Sequence, residues 1–294
     1  MSKSMRRNEL ICIMLVLPAL LIRAFTALYP ILRTFFDAFH DINLIRQVNS
    51  FTGLGNFSRM LTDLTVASTI SFSLWFTLIS VIFHILLGVP LALLLNRKFF
   101  GRKILRSVVI IPWALPTIAA GIAFFWGFDD MYGFVNDIIR RFAPDFVFHW
   151  LVNRQGAQAA VIIADVWKNM PFFAILILSG LQSIPDEVIE AAKVDGANAW
   201  RRFWSITLPH IMPLLIVMTI FTSLWRLTSF DLVFAMTSGG PGAATSLLAY
   251  RIYVEAFMTL NFGYAGAIST VLFLTMVIIA TVGFSLKKLV DYEL

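Results

Sequence analysis

The 294 residues are 59% hydrophobic and only 14% charged, whereas soluble domains run near half apolar and about a quarter charged. That balance excludes an ordinary soluble domain, and 28 Phe and 8 Trp suit a lipid-facing surface with interfacial aromatics. The formal charge of +6 is spread over the segments between apolar runs, which fits membrane topology better than nucleic acid, and the single cysteine, Cys12, can form no internal disulfide.

Six apolar runs, at about 10–36, 69–96, 105–128, 158–182, 211–236 and 264–286, are each long enough to cross a bilayer at about 1.5 Å per helical residue. The predicted fold is therefore an all-α membrane protein with six transmembrane helices; a β-barrel would show short alternating segments instead. The basic start, Met1 to Arg7, leads into the first run without a small-residue cleavage site, which predicts an uncleaved helix. One set of inter-span segments holds Lys3, Arg6, Arg7, Arg97, Lys98, Arg102, Lys103, Arg106, Lys193, Arg201, Arg202, Lys287 and Lys288; the other holds Arg46, Arg59, Arg140, Arg141, Arg154 and Arg251. By the positive-inside rule both termini and the segment around Lys193 are cytoplasmic. Residues 1–68 read as a first helix with its outer loop, and 69–294 as a core of five helices.

Along the chain, Phe51 to Phe57 is a turn-rich outer stretch, and Pro112 and Pro116 should kink the third span. The fourth span places Asp165, Lys168, Asn169 and Phe172 on one helical face, where Asp165 and Lys168 can pair with each other. A long polar segment follows at 183–209. Ser183 with Asp186 three residues on resembles a capping box, and Pro185 with two acids suits a first helical turn. Gly196 can end that helix in the left-handed region, and a second amphipathic turn with Trp200, Phe203 and Trp204 runs to Pro209, giving two short helices at a bend. The fifth span then repeats a polar face with Thr222, Trp225, Arg226 and Ser229, followed by Asp231. A guanidinium at mid-membrane needs an acidic partner, which Asp231, Asp165 or an anionic group on a solute can supply.

Several chemistries have no footing here. No phosphate-binding loop, His-Glu-x-x-His pattern or Gly-x-Ser-x-Gly elbow occurs, so the chain is expected to be neither an ATPase nor another enzyme. His40, His84, His149 and His210 lie far apart and read as interfacial or capping residues, with no metal site.

The run Glu190-Ala191-Ala192, then Gly196, then Ile206-x-Leu208-Pro209 resembles the cytoplasmic loop of permease subunits of ABC importers. The Phe51–Phe57 segment, Phe230-Asp231, Thr237 to Gly242 and Phe262 to Ala265 extend the likeness to the maltose and carbohydrate-uptake group over nearly the whole chain. The resemblance implies that Glu190, Ala191, Ala192, Asp195, Gly196, Ile206, Leu208 and Pro209 form a coupling helix seated on a separate ATPase. It further implies two ATPase subunits that carry ATP and Mg, a second homologous permease as heterodimer partner, and a soluble solute-binding protein. This chain would hold no cofactor, sit in a bacterial inner membrane with lipid around it, and bind no nucleic acid. In that group the helices beside the coupling loop line a sugar site, which maps to Asp165, Lys168, Asn169, Phe172, Thr222, Trp225, Arg226 and Ser229. Transport would proceed by alternating access. The expected solute is a sugar or sugar-like compound, and Arg226, which departs from the group's pattern, either pairs with an internal carboxylate or marks a solute bearing a carboxylate, sulfonate or phosphate. The other class weighed is an ion-coupled secondary transporter, which should show inverted repeats that this sequence lacks.

Overall fold

The computed structural model describes residues 3–293. The chain divides into two compact units, Met1–Thr62 with Ile252–Val271 and Asp63–Arg251 with Leu272–Leu294.

In the first unit, α1 (Lys3–Arg23) passes through a widened turn, Ala24–Leu28, into α2 (Tyr29–Ala38). The Tyr29 N–H reaches back to the Ala24 carbonyl, one residue farther than in an α-helix. Pro30 comes next; it has no N–H to give the carbonyl four residues back and its ring would crowd that oxygen, and the wider turn relieves both problems. Strands β1 (His40–Asn43) and β2 (Val48–Phe51) pair antiparallel with His40 opposite Phe51. Helix α3 (Gly55–Thr62) brings in buried Asn56, whose Nδ2 donates to the carbonyls of Ala38 and His40 at 2.9 Å each. Residue 263 must be glycine, because a Cβ there would lie 2.0 Å from the His40 carbonyl oxygen.

The second unit is built on α4 (Leu64–Asn96), capped by the Asp63 carboxylate, which accepts from the Thr65 and Val66 N–H groups. Then come α5 (Arg102–Val109), α6 (Ile111–Ala114), α7 (Thr117–Gly127) and α8 (Phe134–Arg140). Next are α9 (Arg154–Leu181), α10 (Asp186–Val194) and α11 (Ala199–Arg202). A widened turn at Phe203–Thr207 leads from α11 straight into α12 (Leu208–Leu227). Helices α13 (Asp231–Met236), α14 (Leu248–Tyr253) and α15 (Phe262–Glu293) complete the chain.

Among the described residues, five helical segments are long and apolar enough to cross a membrane: Ile11–Ala38, Leu64–Asn96, Arg154–Leu181, Ala199–Leu227 and Phe262–Leu289. The pair Arg102–Ala114 and Thr117–Gly127, bent by 87°, makes a sixth if its two halves are counted as one span. The chain is thus a multi-pass, predominantly helical membrane protein. Three expectations are corrected. The third span is broken rather than kinked, because Pro116 drives Leu115 out of the helical region (ψ 140°) and is itself extended (ψ 132°). The fifth span does not run 211–236. It starts at Ala199, passes Pro209 through the widened turn in which the Leu208 N–H reaches the Phe203 carbonyl, and ends at Leu227, with Asp231–Met236 a separate helix. Ser183 caps no helix start: its hydroxyl turns back to the Gly180 carbonyl at 2.8 Å, adding to the backbone bonds that close the end of α9, and Pro185 holds the N-cap position of α10.

Packing within this unit forms two apolar layers. One joins Val89, Ala92 and Leu95 of α4 to Phe173, Ala174 and Ile177 of α9 and to Ile211 and Leu215 of α12. The other joins Phe72 and Phe76 of α4 to Ala160, Val161 and Ala164 of α9 and to Leu232, Val233 and Met236 of α13. Between the residues of these layers lie buried Ser80 and His84 of α4 and Asp165 and Lys168 of α9, with Arg226 of α12 paired to Asp165.

Candidate functional site

The polar layer centres on Asp165, which is 1% exposed. Its Oδ1 accepts from the Arg226 guanidinium and, at 3.0 Å, from Asn169 Nδ2. Arg226 is 4% exposed, so this is a deeply buried ion pair formed between two spans. Sequence pairs Asp165 with Lys168 as readily as with Arg226; the structure chooses Arg226. Lys168, 5% exposed, instead donates to the Trp113 carbonyl at 3.0 Å. That carbonyl is available because the break at Leu115 and Pro116 interrupts the helix that would have used it. The broken third span thereby holds an ammonium that the fourth span carries.

A cavity of about 350 Å³ opens against this layer. Asp165, Lys168, Asn169, Trp225, Arg226 and Ser229 line it, together with Trp113, Thr117 and Asp231. Two residues expected there stand elsewhere. Phe172 lies behind the wall, stacked on Trp113 at 4.6 Å between ring centroids and edge-on to Trp225 at 6.2 Å, so it braces the aromatic lining. Thr222 is buried one turn before Arg226 and is absent from the lining. Asp231 is exposed at the cavity and leaves the pairing of Arg226 to Asp165.

One residue of this layer escapes a sequence reading. His84, expected at an interface or a cap, is 0% exposed, with Nε2 3.9 Å from Asp165 Oδ2. A lone histidine in an apolar run carries no signal of its partner 81 positions away. The only available hint is its helical spacing from Thr77 and Ser80, which continue a polar stripe on α4.

At the other end of α9 and α12 sits the 183–209 segment. Helix α10 ends as predicted at Gly196, whose φ of +77° is left-handed, and no atom lies within 4 Å of where a Cβ would be. Glu190, Ala191, Asp195 and Gly196 are exposed, Ala192 is half-buried, and Ile206, Leu208 and Pro209 sit half-buried in the widened turn and the start of α12. On its inner side a groove of about 580 Å³ is lined by Pro90, Leu93, Ile189, Trp200 and Phe203 among others. Two acceptors of α10 are accounted for: the Asp195 N–H bonds the Ala191 carbonyl and the Ala197 N–H bonds the Ala192 carbonyl.

Residues 84–293 match the family described as binding-protein-dependent transport system inner membrane component. The chain belongs to this family. The permease is 36% identical over 267 residues to the sulfoquinovosyl glycerol transport system permease protein of Agrobacterium fabrum, covering 90% of this chain and 86% of that one. It is also 36% identical over 282 residues to the trehalose/maltose transport system permease protein of Thermococcus litoralis, covering 95% and 92%. Its fold is that of a bacterial ABC transporter involved in the import of the acidic polysaccharide alginate, with a TM-score of 0.82, 21% identity and 97% of each chain covered.

Proposed function

We propose that the permease is a subunit of an ATP-driven sugar importer and that its solute carries an anionic group. The observation behind this reading is the buried Asp165–Arg226 pair beside Lys168, opening onto a cavity of solute size. A charge at mid-membrane is costly unless it serves a pathway, and here two cations and one fully buried carboxylate meet at one wall. A guanidinium and an ammonium match a sulfonate, phosphate or carboxylate, while Asn169, Ser229 and Trp225 suit hydroxyls and a sugar face. The relative named for sulfoquinovosyl glycerol, a sulfonated glycoside, supports the same class. In this reading Arg226 exchanges Asp165 for the solute anion.

The remaining parts follow from family membership and from the loop. A binding protein delivers solute on the outer side, and a second permease completes the pathway. Two ATPase subunits, holding ATP and Mg, dock on α10 through Glu190, Ala191, Ala192, Asp195 and Gly196, with Ile206, Leu208 and Pro209 fixing the base of the loop. Both termini and this loop face the cytoplasm, in agreement with the lysine and arginine distribution, and the membrane is a bacterial inner membrane. ATP-driven closure of the ATPases moves the loop, opens the cavity outward, and hydrolysis resets it. The test is uptake of a radiolabelled sulfonated glycoside and of the same glycoside with a hydroxyl replacing the sulfonate, in cells carrying the whole system. Arg226→Gln and Lys168→Gln should each cut uptake of the sulfonated form by about tenfold or more, while the ATPase still co-purifies. Unchanged uptake by both variants, or import of the neutral glycoside alone, would leave Arg226 as half of an internal pair.

A further inference from the structure

The polar layer contains a second set of groups that bond nothing among the described residues. They are both ring nitrogens of His84, the hydroxyl of Ser80 one turn earlier on α4, Oδ2 of Asp165 and Nε of Arg226. Buried polar atoms in folded proteins are almost always bonded, and the exceptions demand a reason. Other such atoms occur singly elsewhere in the described residues, but here His84 and Arg226 flank the one carboxylate of Asp165 and Ser80 stands one turn from His84, a grouping that points to a second arrangement of the same side chains. The imidazole is held flat against Phe173, with ring centroids 6.2 Å apart and 20° between planes. Its Nε2 stands 3.9 Å from Asp165 Oδ2, about 1 Å beyond a hydrogen bond.

We propose that His84 is a positioning residue for the solute site, taking the Asp165 carboxylate by a hydrogen bond when a solute anion draws Arg226 away. The idea rests on the reading that Arg226 meets the solute. With Arg226 gone, Asp165 would keep only Asn169 as a side-chain donor, and a buried carboxylate so poorly held would pull the guanidinium back. A small rotation of the carboxylate toward His84 replaces the lost donor with an imidazole N–H. No proton changes owner, so a neutral histidine suffices. Ser80 lies on the same face of α4, one turn from the ring, where its hydroxyl can serve the other nitrogen. The carboxylate therefore has two resting positions, one toward Arg226 and one toward His84, and the solute chooses between them.

The test is a thermal double-mutant cycle on the purified full-length permease, with no solute present. Arg226→Met removes the guanidinium and offers Asp165 no donor. His84→Phe keeps a ring against Phe173. In the parent background His84→Phe should move Tm by less than about 2 °C, because His84 has no bond to lose. In the Arg226→Met background it should lower Tm by a further 4 °C or so, and His84→Gln, which keeps a donor, should recover at least half of that. Equal shifts in both backgrounds, or no recovery by His84→Gln, overturn the proposal and make His84 a packing residue. If Arg226→Met does not accumulate in membranes, the same cycle is run on Arg226→Leu, which likewise offers no donor, with the same criteria. Because the cycle uses no solute, its failure is distinct from failure of the uptake test, which reports on the anion.

Discussion

Replacing Asp165 with leucine should expose how much the buried pair matters. The substitution takes from Arg226 its carboxylate, while its Nε already lacks a partner among the described residues. Asn169 loses one of its two acceptors but keeps the Asp165 carbonyl at 3.0 Å, so the loss falls mainly on the guanidinium. Breaking one side of a buried ion pair costs about 3–5 kcal/mol, because the surviving charge keeps its desolvation penalty. At roughly 2–4 °C per kcal/mol for a chain of a couple of hundred residues, Tm should fall on the order of 10 °C. Asp165→Leu with Arg226→Leu removes both charges and should return to within about 2 kcal/mol of the parent, or above it. Heating detergent-solubilised protein and quantifying the surviving monodisperse peak by size exclusion with tryptophan fluorescence reads both values. The reasoning is refuted if Asp165→Leu melts within about 2 °C of the parent, or if the double variant is less stable than either single one.

Gly196→Val places a branched side chain at φ +77° with open space around it, so the cost is about 1–2 kcal/mol of local backbone strain; the spans should stay folded by Tm, while ATPase recovery in a pull-down falls several-fold. Gly121→Leu should be worse for stability. A Cβ at Gly121 would lie 2.8 Å from the Ala235 Cβ and 3.4 Å from the Leu232 carbonyl, so overpacking between α7 and α13 should cost about 1–3 kcal/mol in the same thermal assay. Reporters inserted near Lys193 and fused after Lys288 should read as cytoplasmic, and one near Gly242 as external; an external reading after Lys288 would invert the six-span topology.

The spans were legible because hydropathy is a local property that the bilayer reads directly, and the end of α10 at Gly196 was legible because a left-handed residue favours glycine. Other features depended on partners that local sequence does not name. Pro112 and Pro116 sit four apart, which reads as a kink in a continuous helix; Pro112 instead opens the short α6 after a turn at Ile110, and the sharp bend of 87° comes at Pro116. At Pro116 the preceding Leu115 is extended, and the Lys168 ammonium on α9 takes up the Trp113 carbonyl that the interrupted helix leaves open. Likewise the spacing of Asp165 and Lys168 permits a local pair, but the carboxylate is taken by an arginine 61 positions away, and Lys168 turns to the Trp113 carbonyl. The helical spacing puts Phe172 on the same face of α9 as Asp165 and Lys168, but its ring stacks on Trp113 and does not line the cavity.

The joining of α11 to α12 has a mechanical meaning. From Ala199 to Leu227 the chain is one helical rod, with the proposed ATPase contact at one end and the Arg226 guanidinium at the other. Part-way along, Leu214 bears on Gly180 of α9, where even a methyl group would come within 2.6 Å of its Cδ2. That contact is a natural fulcrum. A tilt of about 8° about it would swing Arg226, roughly 18 Å farther along at 1.5 Å per residue, sideways by about 2.5 Å. Such a displacement is close to the length of one hydrogen bond, so a push of about 3 Å at the Ala199 end, roughly 22 Å from the fulcrum on its other side, is enough to part the guanidinium from its carboxylate.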